Sequence, residues 1–154
     1  MENTKPQFPA TDAWVLTSIY GASLGGDPTL ARIIGTGDFI NHAIFTLHEL
    51  NGGLSRLHEA GYIEVEDCVY PLTEKGKEIT EIDKKAKKGF YHHMETIRKR
   101  LHAGDWGARI PPRPHTHDED PYVTEEMFRM AYAEYTESLK GPKPSVKRLS
   151  QPST

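Results

Sequence analysis

The sequence predicts a mainly α chain with one small β-hairpin. Three observations predict it. Apolar residues recur at helical spacing in several stretches, most regularly at Leu47, Leu50, Leu54 and Leu57. One short stretch, Tyr62-Ile-Glu-Val-Glu66, alternates instead with period two, as a half-buried strand does. Mean hydropathy is −0.62, too polar for all 154 residues to pack into one core, so a helical domain with solvated extensions is expected.

Residues 1–10 hold Pro6 and Pro9 and little that packs, and read as a disordered tail. Thr11 or Asp12 offers an N-cap for a first helix carrying Trp14, Val15, Ile19 and Tyr20. Gly21, Gly25, Gly26 and Pro28 end it. Thr29 caps a second helix with Leu30, Ile33 and Ile34 on one face. Gly35 and Gly37 are expected to interrupt it, with Asp38 to Phe45 as a further short piece. Trp14, Phe39, Phe45 and Tyr62 read as core. Asp38 and Asn41 read as helix caps or as polar groups lining a pocket.

Thr46-Leu-His-Glu49 fits a capping box, in which the Thr hydroxyl and the Glu carboxylate each accept from the other residue's backbone N–H. It opens a third helix that Gly61 closes. After the strand at 62–66, Asp67-Cys68 makes the turn. Val69-Tyr-Pro-Leu72 returns, at an edge because Pro71 cannot donate to a ladder. Thr73 caps the next helix. From there Ile79, Ile82, Ala86, Phe90, Met94, Ile97 and Leu101 follow at spacings of three and four. This near-heptad stripe predicts one long helix to about Ala103. Its part beyond residue 80 is expected to pair two copies of the chain through Ile82, Ala86, Phe90, Met94, Ile97 and Leu101. Residues 104–123 hold Pro111, Pro112, Pro114 and Pro121 and read as a linker. A last helix over 124–140 is expected to pack on the long helix or on a partner. Residues 141–154 read as a disordered tail.

Charge narrows the function classes. The whole chain carries 19 Lys+Arg against 22 Asp+Glu, so its average gives no sign of nucleic acid. Residues 10–75 hold three basic and nine acidic side chains, whereas 76–103 hold eight basic and four acidic. No stretch is long and apolar enough to span a membrane, and the first twelve residues hold no apolar signal region. The single cysteine, Cys68, excludes an intramolecular disulfide and a Cys-rich zinc site and suits a reducing cytoplasm. No G-x-S-x-G, H-E-x-x-H or P-loop pattern occurs, so a non-enzymatic chain without cofactor is expected.

From Thr46 onward the order is capped helix, hairpin, helix. Leu54-Ser-Arg-Leu-His-Glu-Ala-Gly-Tyr-Ile63 is followed by Tyr70-Pro-Leu-Thr-Glu-Lys-Gly76. These two motifs, in this order, resemble the winged helix-turn-helix of bacterial PadR-type and MarR-type regulators, over about residues 11–80. The resemblance implies a homodimer that lays its third helix in the major groove of double-stranded DNA, with the wing on the flanking backbone. His48, Asn51, Ser55 and Arg56 would then make the DNA contacts. On this reading Arg56→Ala abolishes a specific complex without unfolding the chain.

Two features oppose DNA. The wing carries Glu64, Glu66 and Asp67 with no basic residue, and Gly52-Gly53 weakens the helix where bases would be read. The alternative is a winged helix turned to protein binding, whose acidic surface at Glu49, Glu59, Glu64, Glu66 and Asp67 meets a basic partner. His115-Thr-His117 is a weak metal candidate beside Asp118 and Asp120, set against a plain polar linker.

Overall fold

The computed structural model of the chain describes residues 8–81, 89–106 and 122–140. Its helices are α1 (Ala10–Leu24), α2 (Leu30–Asn41), α3 (Leu47–Glu59), α4 (Glu74–Thr80), α5 (Phe90–Arg100) and α6 (Glu125–Lys140). The chain is mainly helical. Among the described residues no helix is long and apolar enough to cross a membrane.

α1 is the central helix. It packs against α2, α3 and α5, and Ala13, Val15, Leu16 and Ile19 are wholly buried. Such a helix must be apolar on every side. Its buried Thr17 and Ser18 satisfy their hydroxyls by donating to the carbonyls of Ala13 and Trp14, each at 2.7 Å. The helix begins one residue before the expected caps, after Pro9 and with no side-chain cap. Asp12 is drawn instead into the core. Nor are residues 8–10 a tail: Phe8 is buried, edge-on to Tyr62, and its carbonyl accepts from the Gly104 N–H. The rest of the expected tail, 1–7, lies outside the described residues.

α2 runs unbroken through Gly35 and Gly37, against expectation. The two glycines serve close approach. A Cβ on Gly37 would stand 2.4 Å from the Phe45 ring, and one on Gly35 2.8 Å from the Tyr135 ring. The Gly37 carbonyl accepts from the Trp14 indole at 3.0 Å, and Trp14 and Phe45 pack with centroids 3.9 Å apart. Phe39, expected in the core, is 70% exposed. α2 ends at His42 in the left-handed region, and the Thr46–Glu49 capping box then opens α3.

Residues 62–73 run out and back. Tyr62 accepts from Thr73, Glu64 donates to Pro71, and Glu66 and Val69 exchange both bonds. The two expected strands are isolated antiparallel bridges, Ile63 with Leu72 and Glu66 with Val69, with no continuous strand among the described residues. Thr29 adds a third bridge, to Val69.

Among the described residues the long helix predicted from 73 to 103 is two helices, α4 and α5. Glu81 turns extended (ψ 134°), and α5 restarts after Gly89. Ile82 and Ala86 of the predicted pairing stripe lie outside the described residues. Phe90 is half-buried, with its ring edge-on to Tyr20 and Phe39. Met94, Ile97 and Leu101 are buried within the same chain, where α5 packs on α1. They are therefore not free to pair with a second copy as expected. A straight helix would have carried this apolar stripe into water, and the break folds it back onto the core. Side chains of α5 also finish α4. Arg100 donates to the carbonyls of Ile79 (3.0 Å) and Glu81 (2.6 Å), and His93 Nε2 bonds the Thr80 carbonyl at 2.8 Å. These carbonyls at a helix end would otherwise lack partners.

His93 is 3% exposed. Burial holds its imidazole below the ordinary value, against the opposing pull of the Thr80 carbonyl, and Arg100 and His92 lower it further. Unfolding releases it to take a proton near its ordinary value of about 6.5. The unfolded chain thus binds more protons there, so stability present above that pH is lost as pH falls toward the folded value. The thermal midpoint is expected to drop on acidification from neutral. His93→Gln, which keeps an N–H for Thr80 but does not titrate, should flatten that part of the slope.

Candidate functional site

α3 presents its leucines Leu50, Leu54 and Leu57 to the core. Bordering that face, His48, Asn51, Ser55 and His58 recur at spacings of three, four and three, so they form one stripe. Three of the four residues expected to contact DNA belong to this stripe, and His58 was not anticipated.

The stripe is occupied. The Asn51 amide donates to the Val123 carbonyl and its oxygen accepts from the Val123 N–H, both at 2.7 Å. His58 Nδ1 and the Tyr122 hydroxyl are hydrogen bonded at 2.7 Å, and the Tyr70 hydroxyl donates to the Tyr122 carbonyl at 3.3 Å. Burial raises the Tyr122 phenol above its ordinary value, Glu59 adds to this, and the Ser55 hydroxyl opposes it. Val123 and Ser55 are wholly buried. His48 alone of the predicted DNA contacts is exposed.

Arg56 lies off this stripe and is 6% exposed. Its Nε and one Nη donate to the two carboxylate oxygens of Asp12 at 2.6 and 3.0 Å, and Asp12 is itself wholly buried. It is a core ion pair between α1 and α3, out of reach of any duplex. Gly52 and Gly53 are its consequence. A Cβ on Gly52 would stand 2.8 Å from the Arg56 guanidinium, and one on Gly53 3.2 Å from the Asp12 carboxylate. The glycine pair makes room for the ion pair and the α1 contact rather than for base edges.

The stripe continues into α6. Thr124 caps that helix by accepting from the Met127 N–H, and α6 packs on α2, not on α5 as expected. Ala131 is buried, and the Tyr135 hydroxyl donates to Asp38 Oδ2 at 2.6 Å. Burial, with the hydrogen bond and charge of Asp38, raises that phenol to about 12, so it stays a donor through the physiological range. Asp38 is thus a polar anchor between helices. A cleft of about 580 Å³ opens beside the junction, between Leu47 and Asn51 of α3 and the start of α6. Most of its polar lining is already engaged: Asn51 on Val123, Thr124 as cap, and Arg129 on Glu126. No nucleophile stands beside a base in it.

The acidic residues divide. Glu49 is spent on the capping box, accepting from the Thr46 N–H at 2.8 Å. Glu59, Glu64, Glu66 and Asp67 are exposed, and Asp67 takes φ 56° at the tip of the 62–73 excursion. Nearby cations are partly consumed. Lys75 donates to the Ala60 carbonyl at 2.6 Å and lies over the Tyr62 ring, and Lys77 stands 3.6 Å from Glu74. Cys68 is exposed beside Asp67. His115 and His117 lie outside the described residues, among which no group of three metal-ligating side chains occurs.

The missed residues had a signal. Tyr122 and Val123 are, prolines aside, the only apolar residues between Ile110 and Met127, and they stand directly before a helix cap. No model of a known protein family matches the chain. No curated protein and no solved structure matches it either.

Proposed function

We propose that the chain is a non-enzymatic winged-helix module that acts through protein contacts, meeting a basic partner at the acidic side of its wing, and that its third helix does not read DNA. The observation that carries this is the paired hydrogen bond of Asn51 to the Val123 backbone. It fills the face a duplex would need with the chain's own segment.

The order α1, Thr29, α2, α3 and the paired excursion 62–73 supports the winged-helix reading. Thr29 then acts as the short third strand beside the wing. DNA affinity comes mainly from Lys and Arg on phosphates. Here the wing offers Glu64, Glu66 and Asp67, and α3 exposes Glu59. Carboxylates in that arrangement repel a duplex and attract a cationic protein surface.

The test is fluorescence anisotropy on the full chain, with duplex DNA and with an arginine-rich peptide as probes, over a salt titration. The peptide is expected to bind with salt-dependent affinity, and the duplex not to bind even at low salt. The triple variant Glu64→Gln, Glu66→Gln, Asp67→Asn should lower peptide affinity by about tenfold or more, since exposed charges contribute up to about 1 kcal/mol each. Duplex binding with a linear log–log salt slope would overturn the reading.

A further inference from the structure

The outer stripe of α3 and the adjoining face of α2 form a site built for a polypeptide segment, and the matching segment is encoded in the same chain. Asn51 both donates to and accepts from one backbone residue. That is how an amide side chain recognises an extended peptide. Around it, four groups of residues 8–81 hold four atoms or pairs of the segment 122–140. Asn51 takes the Val123 backbone, His58 the Tyr122 hydroxyl, Tyr70 the Tyr122 carbonyl, and Asp38 the Tyr135 hydroxyl. Every polar hook sits on one side and every ligand atom on the other. The attachment is specific in geometry, with Val123 and Ala131 buried and Tyr122, Met127, Phe128 and Tyr135 half-buried against the core.

We propose that this face docks the 122–140 segment of a second copy of the chain, so that two copies exchange segments reciprocally. Three observations favour that occupant. First, groove and ligand lie on one chain, so a pair of copies can exchange them with every contact preserved, which closes on a two-fold axis. Second, residues 107–121 separate the segment from the body, a length that reaches roughly 50 Å when extended. Third, α6 leaves Met130, Tyr132 and Leu139 at 59%, 41% and 64% exposure on its flanks. A lone chain leaves these side chains in water, and the exchange brings a second body near enough to cover one flank of α6. The proposal replaces the α5 stripe as the source of a homodimer. It shares the Asn51–Val123 contact with the acidic-wing reading but uses none of the wing carboxylates, so the triple carboxylate variant tests that reading and Asn51→Ala tests this one.

The experiment has two readouts on the full chain. Light scattering over about a hundredfold concentration range reports whether a dimer grows by mass action. A fluorescein-labelled peptide of residues 120–140 reports whether the groove accepts the segment from outside. The peptide is offered to the unaltered chain and to Tyr122→Ala/Tyr135→Phe, which weakens the resident segment and leaves Asn51, His58, Tyr70 and Asp38 in place. The double variant is expected to bind the peptide at least tenfold more tightly than the unaltered chain. Adding Asn51→Ala to it should abolish binding, with circular dichroism melts confirming that each variant is folded. The unaltered chain should dimerise with rising concentration, and Asn51→Ala should shift it to monomer. Peptide binding by a chain that stays monomeric throughout would make the contact strictly intramolecular and overturn the exchange. A dimer indifferent to Asn51→Ala would assign dimerisation to another face and overturn it equally. Absence of both dimer and peptide binding would overturn the docking site itself.

Discussion

Arg56→Ala is expected to destabilise the chain by about 3–5 kcal/mol, the usual cost of breaking a buried ion pair by removing one member. Asp12 is wholly buried, so water cannot replace the guanidinium without opening the α1–α3 contact. The guanidinium also fills the space over Gly52, which becomes a void when it is removed. Against a typical total of about 5–15 kcal/mol, such a loss leaves a marginal fold. Urea denaturation at neutral pH should show the midpoint falling steeply. Arg56→Lys should recover only part of it, because an ammonium cannot reproduce the two-pronged bond to both carboxylate oxygens. Removing both partners, as Arg56→Met with Asp12→Leu, should cost less than the sum of the single changes, since the two side chains are in direct contact and each single change already breaks their shared bond. A folded, fully stable Arg56→Ala would mean that the pair adds nothing and that Arg56 is available for contacts after all. With the expected outcome, loss of any binding by this variant reports unfolding and says nothing of DNA.

The parts of the fold legible in the sequence were those written in a few neighbouring residues. The Thr46–Glu49 box, the Thr73 cap and the positive φ of Gly61 (88°) each follow from local chemistry, and each stands as expected. The failures share another cause. A stripe at spacings of three and four states that one helix face is apolar, not what covers it. The α5 half covers α1, which the break at Glu81 makes possible and which no periodicity encodes. Asp12 and Arg56 are 44 residues apart, so Asp12 read as a cap and Arg56 as a surface cation. Asn51 is more instructive. Its amide presents an N–H donor and a C=O acceptor side by side, the set that recognises an adenine edge and equally the N–H and C=O of a peptide. Residue type picked out the stripe; only the fold places Val123 against it.

Gly76→Ala is expected to cost about 2 kcal/mol or more. A Cβ at this position would lie 2.1 Å from the Tyr62 carbonyl oxygen and 3.2 Å from Leu72. The carbonyl cannot move aside, because it accepts from the Thr73 N–H at 3.0 Å and so fixes the closing end of the 62–73 excursion. Nor can the first turn of α4 retreat. Thr73 donates to the Gly61 carbonyl at 2.6 Å and accepts from the Gly76 N–H at 3.0 Å, and Lys75 reaches the Ala60 carbonyl at 2.6 Å. These bonds join the start of α4 to the end of α3. Alanine would gain up to about 1 kcal/mol in helix propensity over glycine. Overpacking typically costs about 1–3 kcal/mol, and more where the obstacle is backbone, so the clash wins. Denaturant titration gives the loss directly. Hydrogen exchange should show where it falls, with the amides of Thr73 and Gly76 opening before those of α1. A stability equal to that of the unaltered chain would require α4 to shift away from Tyr62, and the Thr73 amide would then lose its protection while the global midpoint stayed put.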